Sequence, residues 1–110
     1  MQLSIIDQND SLNASMREFA ERRLRFALSR FSSKIELVTV VVRDLNGPRG
    51  GVDKFCRITV KMRRLASVRI TSLHGELEAC LARAADRAGR SVARAVERSQ
   101  QFDRRRPFTV

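Results

Sequence analysis

Three stretches in the middle of the chain alternate apolar and polar residues in the manner typical of β-strands. Residues 35–43 are a β-branched run in which three valines share one face. Residues 54–62 place apolar side chains on one face and mainly basic ones on the other. Residues 68–72 repeat this alternation. Because short connections join the three stretches, we predict three consecutive antiparallel strands.

Helical patterns flank the three strands. Residues 12 to about 30 carry apolar side chains at three- and four-residue steps, and Ser11 or Asn13 precedes them as a candidate N-cap. Residues 73–75 are expected to lead into a second helix, from about 76 to 100. The phenylalanines near the first helix are interpreted as core or core-edge residues: Phe19, Phe26 and Phe31.

The opening residues 1–6 nearly alternate, which adds a strand before the first helix. The predicted fold class is therefore α+β, a single domain of order β-α-β-β-β-α over residues 1–101, with a short basic flexible tail over 102–110. The helical crossover makes the first two strands parallel, so the four-stranded sheet is mixed. Both helices are expected to pack on one face of the sheet. Polar residues, with no aromatic platform, are expected on the other face.

The charge of the chain favours a polyanionic partner. A net charge of +10 on 110 residues, with an isoelectric point near 11.4, is typical of proteins that bind nucleic acid. Five arginines of the second helix recur at three- and four-residue steps and fall within an arc of about 80°, which makes one cationic row. They are Arg83, Arg87, Arg90, Arg94 and Arg98. A solvated amphipathic helix in an arginine-rich chain remains the alternative.

The first helix adds further basic residues, Arg22, Arg23, Arg25 and Arg30. Two such helices on one sheet face offer a broad cationic surface for structured RNA. The chain has no Trp or Tyr, so we expect recognition of phosphates and shape and not stacking of bases. Helical spacing also predicts weak ion pairs of Asp86 with Arg90 and of Arg94 with Glu97.

The residue inventory argues against an enzyme. There is one histidine, His74, which we interpret as a turn residue, and the carboxylates are scattered among arginines. Cys56 and Cys80 form no CxxC pair or Cys/His cluster, so we expect both to be reduced and buried. No metal and no cofactor are predicted. The sequence has no signal-peptide pattern and no membrane-length apolar run, which predicts a cytoplasmic protein.

A glycine-rich segment at 46–51 invites comparison with a phosphate-binding loop. It joins two predicted strands, does not open a helix, and lacks a following GK[ST]. We therefore predict a hairpin loop, with Arg49 and Lys54 as possible contacts to an RNA backbone.

Over residues 1 to about 100, the order of elements resembles the ribosome hibernation-promoting factor and ribosome-associated inhibitor family, also called the sigma-54 modulation protein family, in its short form. Three segments carry the resemblance: LNASMREFAERRL at 12–24, NGPRGGVDKFCRITV at 46–60 and ELEACLARAADRAGRSVARAV at 76–96. The glycine-rich loop and its continuation are the most specific of these.

The resemblance implies a non-enzymatic factor that binds the small ribosomal subunit near the decoding centre and inhibits translation during stress. Arg87, Arg90 and Arg94 match basic family positions in the last helix, and Arg23 matches one in the first. These four would contact ribosomal RNA, while Arg83 and Arg98 extend the row by spacing only. The second domain through which long members pair ribosomes is not expected here, and we expect a monomer with no small-molecule substrate and no membrane partner.

Two other functions are compatible with the residues. A general double-stranded-RNA-binding domain also places two helices on one sheet face. A regulator could instead dock its basic surface on an acidic protein partner, in which case binding would resist ribonuclease.

Overall fold

The computed structural model describes residues 1–8, 12–45 and 53–105. The elements are β1 (Gln2–Asp7), α1 (Ala14–Leu28), a 3₁₀ helix (Ser29–Lys34), β2 (Ile35–Asp44), β3 (Lys54–Met62), β4 (Val68–His74) and α2 (Leu77–Arg105). The sheet order is β1-β2-β3-β4, with β1 parallel to β2 and the other pairs antiparallel. The α+β fold of order β-α-β-β-β-α is confirmed.

The core lies between one face of the sheet and the two helices. A register shift between Ile35 and Leu37 lets Ile35 and Val38 both point into the core, and strict alternation follows from Val38. The largest fully buried Leu, Ile and Val side chains are Leu24, Leu28, Ile35, Val38, Val40, Val42, Ile58, Val60, Leu81 and Val92. Burying each of these side chains stabilises the fold by about 1.5–3 kcal/mol.

The start of α1 follows the sequence prediction. Asn13 has extended backbone angles, and its Oδ1 accepts a hydrogen bond of 2.7 Å from the backbone N–H of Met16. This pairs one of the N–H groups that a helix start leaves without an intrahelical acceptor. At its other end α1 tightens into the 3₁₀ helix and enters β2 at Ile35.

Two element ends differ from the prediction. Strand β4 continues to His74, because Leu73 pairs with Phe55 and His74 with Lys54 on β3. His74 still serves the following turn, since its Nδ1 accepts a 3.0 Å hydrogen bond from the backbone N–H of Glu76. Helix α2 extends to Arg105, so its backbone covers the first residues of the predicted tail. Residues 106–110 lie outside the described residues, and the prediction of a flexible tail stays a prediction for them.

The open face, meaning the sheet surface opposite the helices, is less polar than predicted. Phe55 lies on it between Arg43 of β2 and Leu73 of β4, and Leu73 is 49% exposed. The prediction of a polar face without an aromatic platform did not account for Phe55. The guanidinium carbons of Arg43 and Arg57 lie 5.7 and 5.9 Å from the centre of the Phe55 ring. At these distances cation–π attraction holds both side chains against the ring.

Candidate nucleic-acid interface

The arginine row of α2 consists of Arg83, Arg87, Arg90, Arg94 and Arg98, and all five are exposed. They are exposed because the neighbouring arc of the helix, with Leu81, Ala88 and Val92, is buried against α1 and the sheet. At 1.5 Å per residue the row runs for about 22 Å. Among the described residues, no carboxylate lies within ion-pair distance of any of the five. The row is therefore available to an anionic partner.

Helix α1 approaches α2 closely at Gly89. A Cβ atom at this position would lie 3.0 Å from the carbonyl oxygen of Ala27 and 3.2 Å from its Cβ. The absence of a side chain at Gly89 thus permits the close contact between the helices, across which Arg23 of α1 reaches Asp86 of α2. Arg22 and Arg25 are exposed elsewhere on α1.

One ion pair joins the two helices. Arg23 Nη2 lies 3.0 Å from Asp86 Oδ1, and both side chains are more than one-third exposed. The prediction that Asp86 pairs with Arg90 was wrong, because the neighbouring helix presents a closer cation. The predicted pair of Arg94 with Glu97 is likewise not formed within the described part of the chain. An exposed pair such as Arg23–Asp86 contributes about 0–1 kcal/mol, so its main effect is to position Arg23.

Arg87 is fixed at the edge of the sheet. Its Nη1 donates a 2.8 Å hydrogen bond to the carbonyl oxygen of Thr71 on the edge strand β4. A guanidinium has five N–H donors, so the others remain for a phosphate. This contact both orients Arg87 and occupies a carbonyl on the outer edge of the sheet.

Open grooves follow the arginine row. The helical groove, between α1 and α2, has a volume of about 590 Å³ and is lined by Phe26, Ala27, Arg30, Asp86, Gly89 and Arg90. A groove of about 670 Å³ lies between α2 and β4, where Arg87, Arg90 and Arg94 converge beside Ile70. Arg90 lines both grooves. Concave cationic surfaces of this kind fit the ridges of an RNA backbone better than a flat face does.

A third groove brings in a residue that sequence reasoning missed. Arg64, in the turn between β3 and β4, lines it together with Arg98. Arg64 has a φ of 63°, the left-handed conformation that side chains other than glycine rarely adopt. The signal in the sequence was the Arg63–Arg64 pair at the turn, but its alignment with the end of the arginine row depends on how α2 crosses the sheet.

At the α1 end of the helical groove, one prediction was wrong. Phe26, interpreted from the sequence as a core or core-edge residue, is 85% exposed. Phe19 and Phe31 are partly buried against the core, as predicted. The guanidinium carbon of Arg30 lies 4.7 Å from the centre of the Phe31 ring, which holds Arg30 at the groove by cation–π attraction.

Two solved structures share this arrangement of sheet and helices. The Protein Y N-terminal domain of Thermus thermophilus matches with a TM-score of 0.69 and 24% identity, over 86% of this chain and 98% of that one. The chain has the fold of the Protein Y N-terminal domain. A ribosomal subunit interface protein from Coxiella burnetii matches with a TM-score of 0.67 and 12% identity, over 86% of this chain and 96% of that one. No protein-family model and no curated protein matches the sequence.

On this Protein Y fold, Lys54 has a different environment from the arginines. Its Nζ lies 2.8 Å from Asp44 Oδ2 and 3.3 Å from Oδ2 of the fully buried Asp53. The hydrogen bond to Asp44, and then that to Asp53, raise the pKa of Lys54 despite its partial desolvation. The ammonium group of Lys54 pairs with the buried carboxylate of Asp53, so Lys54 is not part of the proposed interface. Arg49 lies outside the described residues.

The two cysteines lie inside the fold. Cys56 and Cys80 are both free and buried, as predicted. The Cys80 thiol lies 3.3 Å from the carbonyl oxygens of Lys54 and Ser72, and contact with Cys80, together with burial, raises the pKa of Cys56. Within the described ranges, no group of His, Cys, Asp or Glu side chains is arranged to hold a metal ion. No helix in that part of the chain is long and apolar enough to cross a membrane.

Proposed function

We propose that this protein is a non-enzymatic, ribosome-associated factor that binds the small ribosomal subunit through its arginine row and inhibits translation. The observation that carries the proposal is the row itself: five exposed arginines without carboxylate partners among the described residues. The fold supports the ribosomal assignment, because one solved structure that shares it is a ribosomal subunit interface protein.

Binding is electrostatic in this proposal. Guanidinium groups match phosphate oxygens in a bidentate manner, and each neutralised phosphate releases counterions to the solvent. Arg87, Arg90 and Arg94 form the centre of the contact, and Arg83 and Arg98 extend it in both directions. Arg23, Arg30 and the exposed α1 residues Arg22 and Arg25 widen the surface.

The finer assignment comes from the family resemblance of the sequence. The protein binds ribosomal RNA near the decoding centre, between the head and body of the small subunit, as a cytoplasmic monomer. There it excludes messenger and transfer RNA and keeps ribosomes inactive during stress. This role needs no cofactor and no catalytic group, only a folded surface of the right charge and shape.

Co-sedimentation with purified small subunits tests the proposal. The wild type is expected to pellet in low salt and less in moderate salt, whereas the variant Arg87→Glu/Arg90→Glu/Arg94→Glu stays in the supernatant. The matched control is Arg57→Glu/Lys61→Glu/Arg69→Glu on the open face, which has the same change in net charge. Circular dichroism first shows that all three proteins are folded. A wild type that does not pellet, or a control that fails as completely as the row variant, overturns the proposal.

The same assay separates the other two functions. A general double-stranded-RNA binder would be displaced from the subunits by an equal mass of long RNA duplex, which a ribosome-specific factor resists. A regulator of an acidic protein would not pellet with the subunits at all, and its complexes in cell extract would survive ribonuclease.

A further inference from the structure

Phe26 is a large aromatic side chain in an unusual position. It is 85% exposed on α1, one helical turn from Arg22 on one side and from Arg30 on the other. Leu24 and Leu28 of the same helix are buried in the core, and their side chains point away from Phe26. Phe26 thus contributes little to the fold, and its ring presents a flat apolar surface within a cationic one.

The groove beside Phe26 combines small residues with positive charge. Beside the ring, Ala27 and Gly89 form the smooth wall of the helical groove. Arg30 and Arg90 supply positive charge in the same groove, and Arg30 is already oriented by its contact with the Phe31 ring. Among the described residues that line this groove, Asp86 is the single carboxylate, and it is paired with Arg23.

The sequence alone led us to expect no stacking of bases, but from the 85% exposure of Phe26 we infer that its ring stacks on an unpaired nucleobase of RNA, while Arg30 and Arg90 contact the phosphates beside that nucleotide. The inference rests on the proposed function, and it names the kind of RNA that the surface selects. Bases within a duplex already stack on both faces, so an aromatic side chain can reach only a base in a loop, a bulge or a single strand.

Charge favours RNA over a protein as the occupant. Arginines surround the ring, and the chain carries a net charge of +10, so a second copy of the same surface would be repelled. The open face is a poorer stacking site, because the guanidinium groups of Arg43 and Arg57 already lie over the ring of Phe55. Of these two rings, the exposed ring of Phe26 is the one that a base can cover.

Two RNA hairpins of equal nucleotide number test the inference, one fully paired and one with a three-nucleotide bulge. The wild type is expected to bind the bulged hairpin about 5- to 150-fold more tightly, which is the usual effect of one base–aromatic contact. Phe26→Leu keeps an apolar side chain but removes the aromatic face. It should lose this preference and bind the paired hairpin as the wild type does.

A second readout uses the absence of tryptophan from the chain. Phe26→Trp introduces a single indole whose fluorescence is quenched when a base stacks on it. We expect quenching by the bulged hairpin and little by the paired one. Leu73→Trp on the open face is the matched control, since Leu73 is also exposed, and it should respond to neither RNA.

Three results would overturn the inference: equal affinities of the wild type for the two hairpins, equal losses of both affinities in Phe26→Leu, or quenching at Leu73→Trp but not at Phe26→Trp. A loss of self-association in Phe26→Leu, with RNA binding unchanged, would assign the ring to a protein contact and also overturn it. Small-subunit binding without any preference for the bulge refutes only the inference. A preference for the bulge without small-subunit binding refutes only the proposed ribosomal function.

Discussion

The salt dependence of binding gives the sharpest test of the arginine row. Five exposed arginines without carboxylate partners in the described part of the chain can neutralise about five phosphates. With about 0.7 to 0.9 counterions released per phosphate, the row alone should contribute roughly −3.5 to −4.5 to the slope of log affinity against log salt. Between about 50 and 200 mM salt, this contribution alone should lower the affinity for the small subunit about 130- to 500-fold.

Neutral substitutions measure how much of the salt dependence comes from the arginine row. Arg87→Gln/Arg90→Gln/Arg94→Gln removes three of the five charges of the row, so the slope should become shallower than that of the wild type by roughly 2.1 to 2.7. Glutamine is used because it removes charge without adding repulsion. Fluorescence anisotropy of a labelled protein, titrated with small subunits at four or five salt concentrations, gives the slopes.

The matched control changes the open face. Arg57→Gln/Lys61→Gln/Arg69→Gln removes the same number of positive charges from the opposite side of the sheet, and its slope should equal that of the wild type. A wild-type slope shallower than about −2 would refute a phosphate-dominated contact. So would an equal loss of slope in the control, because binding would then follow net charge and not the arginine row.

The remaining predictions concern the support of the interface. Gly89→Val should destabilise the fold by about 1–3 kcal/mol in urea unfolding, because its side chain would meet the backbone of α1, and unchanged stability would contradict the close approach. Asn13→Ala should cost about 1 kcal/mol by loss of the cap, with Asn13→Asp as the control that keeps it. Asp86→Asn should bind RNA severalfold more tightly, because it removes negative charge from the helical groove, and weaker RNA binding would contradict this. The free energy of unfolding should fall by at most about 1 kcal/mol. The pKa of Lys54 is raised above its ordinary value of 10.5, so its ion pairs stabilise the fold fully below that pH and progressively less as the pH rises through the folded-state pKa. The stability advantage of the wild type over Lys54→Met should therefore shrink above pH 10.5, and an advantage independent of pH would contradict it.

The order and type of the helices and strands could be predicted because apolar residues recur in each at a regular spacing. The bounds of β3 were predicted to the residue, since Lys54 follows a turn-rich segment and Met62 ends the alternation. The end of β4 was missed because Leu73 and His74 belong to the strand only through their partners on β3. The end of α2 was missed because nothing before Pro107 breaks a helix, and the prediction stopped it at Gln100.

The interface, too, could be predicted from the sequence only in part. The exposure of the arginine row follows from the helical period alone. The exposure of Phe26 could have been found in the same way, because it lies two residues from both Leu24 and Leu28 and hence about 200° from each around the helix. The partner of Asp86 could not, since Arg23 reaches it only when α1 and α2 pack at one particular distance and rotation.

Several arginines are held in place by the fold before any partner binds. Arg87 is anchored on the carbonyl of Thr71, Arg30 on the ring of Phe31, and Arg23 on Asp86. Immobilising a long side chain on binding usually costs about 0.5–1.5 kcal/mol, and these anchors have already met part of that cost during folding. Because the anchors lie on α1, α2 and β4, they also fix the spacing of the cationic groups to one another. A flexible arginine-rich segment of equal charge would follow any polyanion, whereas this surface favours one whose phosphates match its spacing. The fold therefore contributes specificity to a contact whose affinity comes mainly from charge.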